Sequence, residues 1–153
     1  MDTGKFTGFE VSLDKPGIAW IEFNEPEKLN GMNTAKKRDL IETLIQAQMD
    51  NAVRVIVFIG QGRAFCAGDD LKAYTLGDEE NTGLMPAIPP GHDSPIGTYN
   101  GLRHISQALN MTIRRLDKLT IAAVNGIAIQ RLIAESVNLQ RRAHETSLTQ
   151  SSR

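Results

Sequence analysis

Val53-Arg54-Val55-Ile56-Val57-Phe58-Ile59 is the strongest strand signal in the sequence, β-branched and almost continuously apolar. A run of this kind is expected in a strand covered on both faces, so the chain should build its fold around it. Upstream, Phe9-Glu10-Val11-Ser12-Leu13 alternates with period two. Asp14-Lys15-Pro16-Gly17 then reads as a turn, and Ile18-Ala19-Trp20-Ile21-Glu22-Phe23 as a second strand. The two form an antiparallel hairpin with one face buried, and Trp20 and Phe23 are expected in the core.

Between hairpin and central strand lies an amphipathic helix. Asn33 occupies its N-cap position, and Leu40, Ile41, Leu44, Ile45 and Met49 recur at helical spacing from Thr34 to about Asp50. Lys36, Lys37, Arg38, Glu42 and Gln46 fall mostly off that stripe. The order strand, strand, helix, strand suggests layered ββα units around a mostly buried sheet.

Downstream, Gly62-Arg63-Ala64-Phe65-Cys66-Ala67-Gly68-Asp69-Asp70-Leu71-Lys72 leads out of the central strand. Gly68 permits a sharp turn, and the residues after it can open a short helix. Backbone N–H groups at such a start are unsatisfied and can bind negative charge developing on an oxygen. Residues 77–98 are rich in Gly, Pro, Asp and Glu without sustained periodicity. A second helix is expected from near Thr98 to Asp117, with Leu102, Ile105, Leu109, Ile113 and Leu116 as its apolar stripe. Leu119 to Ile129 reads as another buried strand, broken at Asn125-Gly126.

Composition narrows the function classes. A formal net charge of −1 and 5% aromatic residues argue against an electrostatic or stacking grip on nucleic acid. No apolar stretch approaches a membrane span. The N-terminus lacks the basic-then-apolar pattern of a signal peptide, and one cysteine cannot form an internal disulfide. A cytoplasmic protein without nucleic-acid or membrane partners is expected.

The remaining reactive side chains have structural readings. Cys66 has no local histidine and reads as a small buried packing residue. The carboxylates of Asp69 and Asp70 read as complements to a helix dipole. His92, His104 and His144 match no metal-ligand spacing and are expected at the surface.

Three segments, in order, resemble the enoyl-CoA hydratase/isomerase (crotonase) family. They are Asn24-Glu25-Pro26-Glu27-Lys28-Leu29-Asn30-Gly31-Met32, then Gly62 to Lys72, then Thr120-Ile121-Ala122-Ala123-Val124-Asn125-Gly126-Ile127-Ala128. The likeness covers roughly residues 9 to 130. It implies an α/β fold of the crotonase (ClpP/crotonase) type, a spiral of ββα units, here incomplete. The substrate implied is an acyl thioester of coenzyme A, with no cofactor beyond the coenzyme A of the substrate and no metal.

The resemblance makes the backbone N–H of Asp69 one of two oxyanion-hole donors. Lys28, Asn30, Gly31, Ala67, Gly68, Asp70 and Leu71 would line the path of the coenzyme. Gly31 stands where many members carry Ala. At the position of the family's second, glycine-bearing donor loop the chain has Gln130-Arg131, followed by Leu132-Ile133-Ala134-Glu135. Glu135 aligns one position away from the family's first catalytic carboxylate.

Likeness ends abruptly there, the pattern a truncation or frameshift produces. Residues 1–130 are thus expected to be the N-terminal part of a crotonase-like domain, and 131–153 a divergent tail. The expected function is an enoyl-CoA hydratase/isomerase-like protein, weakly active or inactive. The alternative is a non-catalytic CoA-binding or subunit-interaction fragment. Homo-oligomers are typical of the family but not expected of a chain with this C-terminal region.

Overall fold

The computed structural model describes residues 1–70 and 95–129. It opens with a short strand, β1 (Gly4–Phe6), which the sequence reading did not anticipate because three residues are too few to show a period. The expected hairpin follows as β2 (Phe9–Asp14) and β3 (Ile18–Phe23), paired antiparallel with Phe9 opposite Phe23 and Val11 opposite Ile21. A parallel return to the sheet requires a crossover. Helix α1 (Thr34–Met49) supplies it, leading into β4 (Val55–Gly60) beside β3.

Next come β5 (Ala64–Cys66), helix α2 (Pro95–Gly101), a π-helical turn (Leu102–Ser106), helix α3 (Gln107–Arg114), β6 (Leu119–Ala123) and β7 (Ile127–Ala128). The main sheet has the order β1-β2-β3-β4-β6, while β5 and β7 form a separate parallel pair. The long second helix is therefore already formed at Pro95, earlier than expected, and stops at Arg114.

One face of the main sheet forms the core. Phe9, Val11, Ala19, Ile21, Phe23, Ile56 and Phe58 meet Leu40, Ile41, Leu44 and Ala47 of α1 and Leu109 and Ile113 of α3. Phe65 packs edge-on to Phe23, with ring centroids 5.7 Å apart. Asn33 caps α1 as its type predicts, its side chain accepting from the Lys36 N–H at 2.8 Å.

Several expectations need correction. The apolar stripe of α1 is narrower than the spacing suggested: Ile45 and Met49 are exposed, since the helix turns them away from the sheet. Lys36, Lys37 and Arg38, assigned to the solvent side, are buried instead. Trp20 lies on the opposite sheet face from Phe23 and is half-buried, because residues an odd number apart on a strand point to opposite sides. On that second face Val57 is buried, but Val55 and Ile59 are only partly covered, so β4 is not sealed on both sides. Nor is the last strand buried. β6 is an edge strand with Leu119 exposed, and both residues of β7 are exposed. Leu102 is likewise exposed, at the start of the π-helical turn between α2 and α3. The helix expected after Gly68, and the expectations for Leu71, Lys72, His92, Gln130, Arg131, Glu135, His144 and the tail 131–153, lie outside the described residues.

Candidate functional site

The three segments singled out in the sequence converge. The loop after β3 makes a single 3-10 turn at Pro26–Lys28, then enters left-handed backbone at Leu29 (φ 52°) and Asn30 (φ 56°). Asn tolerates this conformation better than most residues. Asn30 is fully buried and uses its whole amide. Its Oδ1 accepts from the Glu25 N–H at 3.0 Å, and its Nδ2 donates to the carbonyls of Gln61 (3.0 Å) and Ala64 (2.8 Å). The side chain thus sews the loop to the segment leaving β4.

Residues 29–32 then run alongside residues 67–70. Ala67 N–H donates to Leu29 O (3.0 Å), Met32 N–H to Gly68 O (2.8 Å), and Asp70 N–H to Met32 O (2.9 Å). Met32 and Asp69 form a parallel bridge. In this bridge Met32 uses its own N–H and C=O, bonding to the residues on either side of Asp69, so the N–H and C=O of Asp69 itself face the other way. The Asp69 N–H is therefore turned away from Met32. Gly68, at φ 104°, makes the bend that sets this direction, in a conformation L side chains rarely adopt. A Cβ built on Gly31 would meet Lys28 O at 3.3 Å and Asp70 Cβ at 3.5 Å, so a methyl there would need the Lys28 carbonyl to shift by a few tenths of an ångström.

The third segment closes on the same place. Asn125 Oδ1 accepts from Gly60 N–H (3.1 Å) while its Nδ2 donates to Gly62 O (2.9 Å). Gly126 is required because a Cβ would lie 2.2 Å from Arg63 O. Ile127 and Ile129 then bond along β5, donating to Arg63 O (3.2 Å) and Cys66 O (2.8 Å).

Electrostatics reveal residues the sequence reading did not select. The Lys36 ammonium, with no exposed side-chain surface, lies 2.6 Å from Glu25 Oε2 and donates to Gly31 O at 2.9 Å. Lys28 pairs with the other Glu25 oxygen at 2.8 Å from an exposed position at the rim. Burial pushes the Glu25 carboxyl up, but hydrogen bonds and positive charge from Lys28 and Lys36 outweigh it and hold the carboxyl below its ordinary 4.5. Lys37, almost as buried as Lys36, places its ammonium 2.6 Å from Asp69 Oδ1 and donates to Ser106 Oγ at 2.9 Å. The Asp69 carboxylate thus has an ion-pair partner on α1, a more specific role than the helix-dipole complement first assigned to it.

Cys66 is buried, and burial raises its thiol above the ordinary value, as suits a packing residue. His104 is exposed. Among the described residues no group of acidic, histidine and cysteine side chains could hold a metal, and no helix is long and apolar enough to cross a membrane. Of the eight site candidates, seven lie in the paired 28–31 and 67–70 segments; Leu71 lies outside the described residues.

A mixed sheet built by a βαβ crossover, with a glycine bend pairing onto the preceding polar loop, defines the crotonase-like fold. A crystal structure of a probable enoyl-CoA hydratase/isomerase from Mycobacterium abscessus superposes with a TM-score of 0.62 at 28% identity, covering 78% of this chain and 40% of that one. Residues 14–87 match the enoyl-CoA hydratase/isomerase family model. The 1,2-epoxyphenylacetyl-CoA isomerase of Escherichia coli is 32% identical over 123 residues, which are 78% of this chain and 41% of that protein. A probable enoyl-CoA hydratase of Mycobacterium bovis is 35% identical over 119 residues, 78% and 38% of the respective chains. This chain belongs to the enoyl-CoA hydratase/isomerase family. It spans about two-fifths of the length of these curated relatives.

Proposed function

We propose that the chain binds an acyl-CoA thioester and stabilises negative charge on the thioester oxygen through the backbone N–H of Asp69. Lys28, Asn30, Gly31, Ala67, Gly68 and Asp70 shape the path of the coenzyme, and the resemblance assigns Leu71 to the same role. The observation that carries this reading is the Met32–Asp69 bridge, which leaves the Asp69 N–H directed away from its neighbouring strand. A fixed donor needs no reorganisation as charge develops, which is what makes such groups effective.

Turnover by this chain should be weak. By the resemblance, Gln130-Arg131 fall at the position of the family's glycine-bearing donor loop, and loss of one oxyanion donor costs about 10² to 10³ in rate. The test is calorimetry of the chain with acetoacetyl-CoA, which enolises readily, and with free coenzyme A. Tighter binding of the thioester, with a ligand-induced shift of the Asp69 amide resonance, supports the reading. Absence of binding to both ligands overturns it. Hydration of a short 2-enoyl-CoA at ordinary enzyme rates would overturn the weak-turnover part alone.

A second reading, a non-catalytic subunit-interaction module, is favoured by one feature. Val124, Ile127 and Ile129 are exposed in a row along β7 and its flanks. Sedimentation of the chain over a range of concentrations tests it, and a monomer throughout counts against self-association.

A further inference from the structure

Asp69 presents a physical conflict. Its N–H is the proposed donor to a developing oxyanion, yet its own side chain is a carboxylate. An ionised carboxylate close to that oxygen opposes the charge the N–H should favour, and the opposition grows as water is excluded. The conflict disappears if the carboxylate is both neutralised and held to one side.

Lys37 meets both conditions. Its ammonium is 2.6 Å from Asp69 Oδ1, and its side chain is 3% exposed, against 19% for Asp69. The same nitrogen donates to Ser106 Oγ at 2.9 Å, at the end of the π-helical turn. One ammonium therefore joins α1, the glycine bend and the α2–α3 junction. Its placement is otherwise unfavourable, since the first turn of a helix repels cations and a buried ammonium is costly without an acidic partner.

We propose that Lys37 is a positioning residue for the oxyanion site. By pairing with the Asp69 carboxylate and anchoring on Ser106, it keeps that charge off the thioester oxygen and fixes the direction of the Asp69 N–H. The proposal rests on the reading of Asp69 given above.

The test uses the full chain and two ligands, acetoacetyl-CoA and free coenzyme A, which lacks the thioester oxygen. Lys37→Met should weaken acetoacetyl-CoA binding on the order of tenfold or more and reduce the ultraviolet absorbance of its bound enolate. Free coenzyme A should still bind within about twofold, since the coenzyme loop is held by Asn30 and Lys36 instead. Adding Asp69→Asn to Lys37→Met removes the stranded charge, keeps the N–H, and should restore most of the lost affinity.

If Lys37→Met does not fold, Lys37→Gln keeps a donor without the charge and should show the same selective loss to a smaller degree. Equal weakening of both ligands, or no recovery in the double variant, would mean a purely structural role and overturn the proposal. Failure of the unsubstituted chain to prefer the thioester overturns the Asp69 reading itself, and is seen before any variant is made.

Discussion

Lys36 donates from a fully buried ammonium to the carbonyl oxygen of Gly31 at 2.9 Å. A lysine in the first turn of a helix thus holds down the loop that precedes it, with Glu25 as its counter-charge. Removing one partner of a buried pair generally costs about 3–5 kcal/mol. Here Glu25 retains Lys28 and some solvent, so Lys36→Met should lower stability by about 2–3 kcal/mol in urea unfolding. A change below about 0.5 kcal/mol would show that the pair does not stabilise the fold.

Gly8 stands over the same ion pair. With φ 72°, a Cβ there would lie 2.0 Å from Lys36 Cε and 2.3 Å from Glu25 Oε2. Gly8→Ala should therefore destabilise by roughly 2 kcal/mol or more, through backbone strain and displacement of the pair. In Lys36→Met/Gly8→Ala the displaced pair is already broken, so the two effects should sum to less than their separate values. Strict additivity would place the glycine's effect elsewhere.

Asn30 uses both ends of its amide, which separates a truncation from an isosteric change. Asn30→Ala removes three hydrogen bonds of a buried side chain and should cost on the order of 3 kcal/mol. Asn30→Asp keeps the acceptor but sets a carboxylate oxygen against the carbonyls of Gln61 and Ala64. It should be at least as damaging at neutral pH, and less so in acid, where a protonated carboxyl can donate. Melting temperatures of both variants at two pH values check this; an innocuous Asn30→Asp would contradict the hydrogen-bond assignment.

The depressed Glu25 carboxyl fixes the sign of one pH effect. A carboxyl titrating lower in the folded than in the unfolded chain contributes stability fully present above its unfolded value, near 4.5. That contribution fades as pH falls through the lower, folded value. The stability difference between the parent and Glu25→Gln should therefore be constant at neutral pH and shrink below about pH 4.5. A difference that widens in acid would reverse the assigned direction.

Cys66 offers a probe of global opening. Buried, with its thiol pushed up by desolvation, it should stay unreactive toward a disulfide reagent at neutral pH and react only as fast as the chain unfolds. Reaction at the rate of a free thiol would place it at the surface.

Much of the fold was legible because its signals are local. Alternation in Phe9–Leu13, the continuous run at Val53–Ile59 and the Asn33 cap each depend on near neighbours. What escaped were tertiary matters. Period alone could not show that Ile45 and Met49 face solvent, because that depends on how far the sheet extends beneath α1. The converging segments were found by resemblance, but not the ion pairs beneath them. A clue was present in Lys36-Lys37-Arg38, three consecutive cations at the N-terminal end of a helix, where the dipole disfavours them. Such a cluster points to acidic partners elsewhere in the chain, two of which are Glu25 and Asp69.

The parallel pairing of β6 onto β4, with Leu119 beside Val55 and Ala123 beside Ile59, also sets an order of assembly. β2 and β3 are joined by a short turn and can zip with little loss of chain entropy; β4 must await the α1 crossover. β6 must close a loop of some sixty residues before its first bond forms, and loop-closure entropy delays such distant contacts. Asn125, which pins Gly60 and Gly62, can engage only after that closure. The bend carrying Asp69 is held by the nearer loop at residues 29–32, so its pairing closes a much shorter stretch of chain than β6 does.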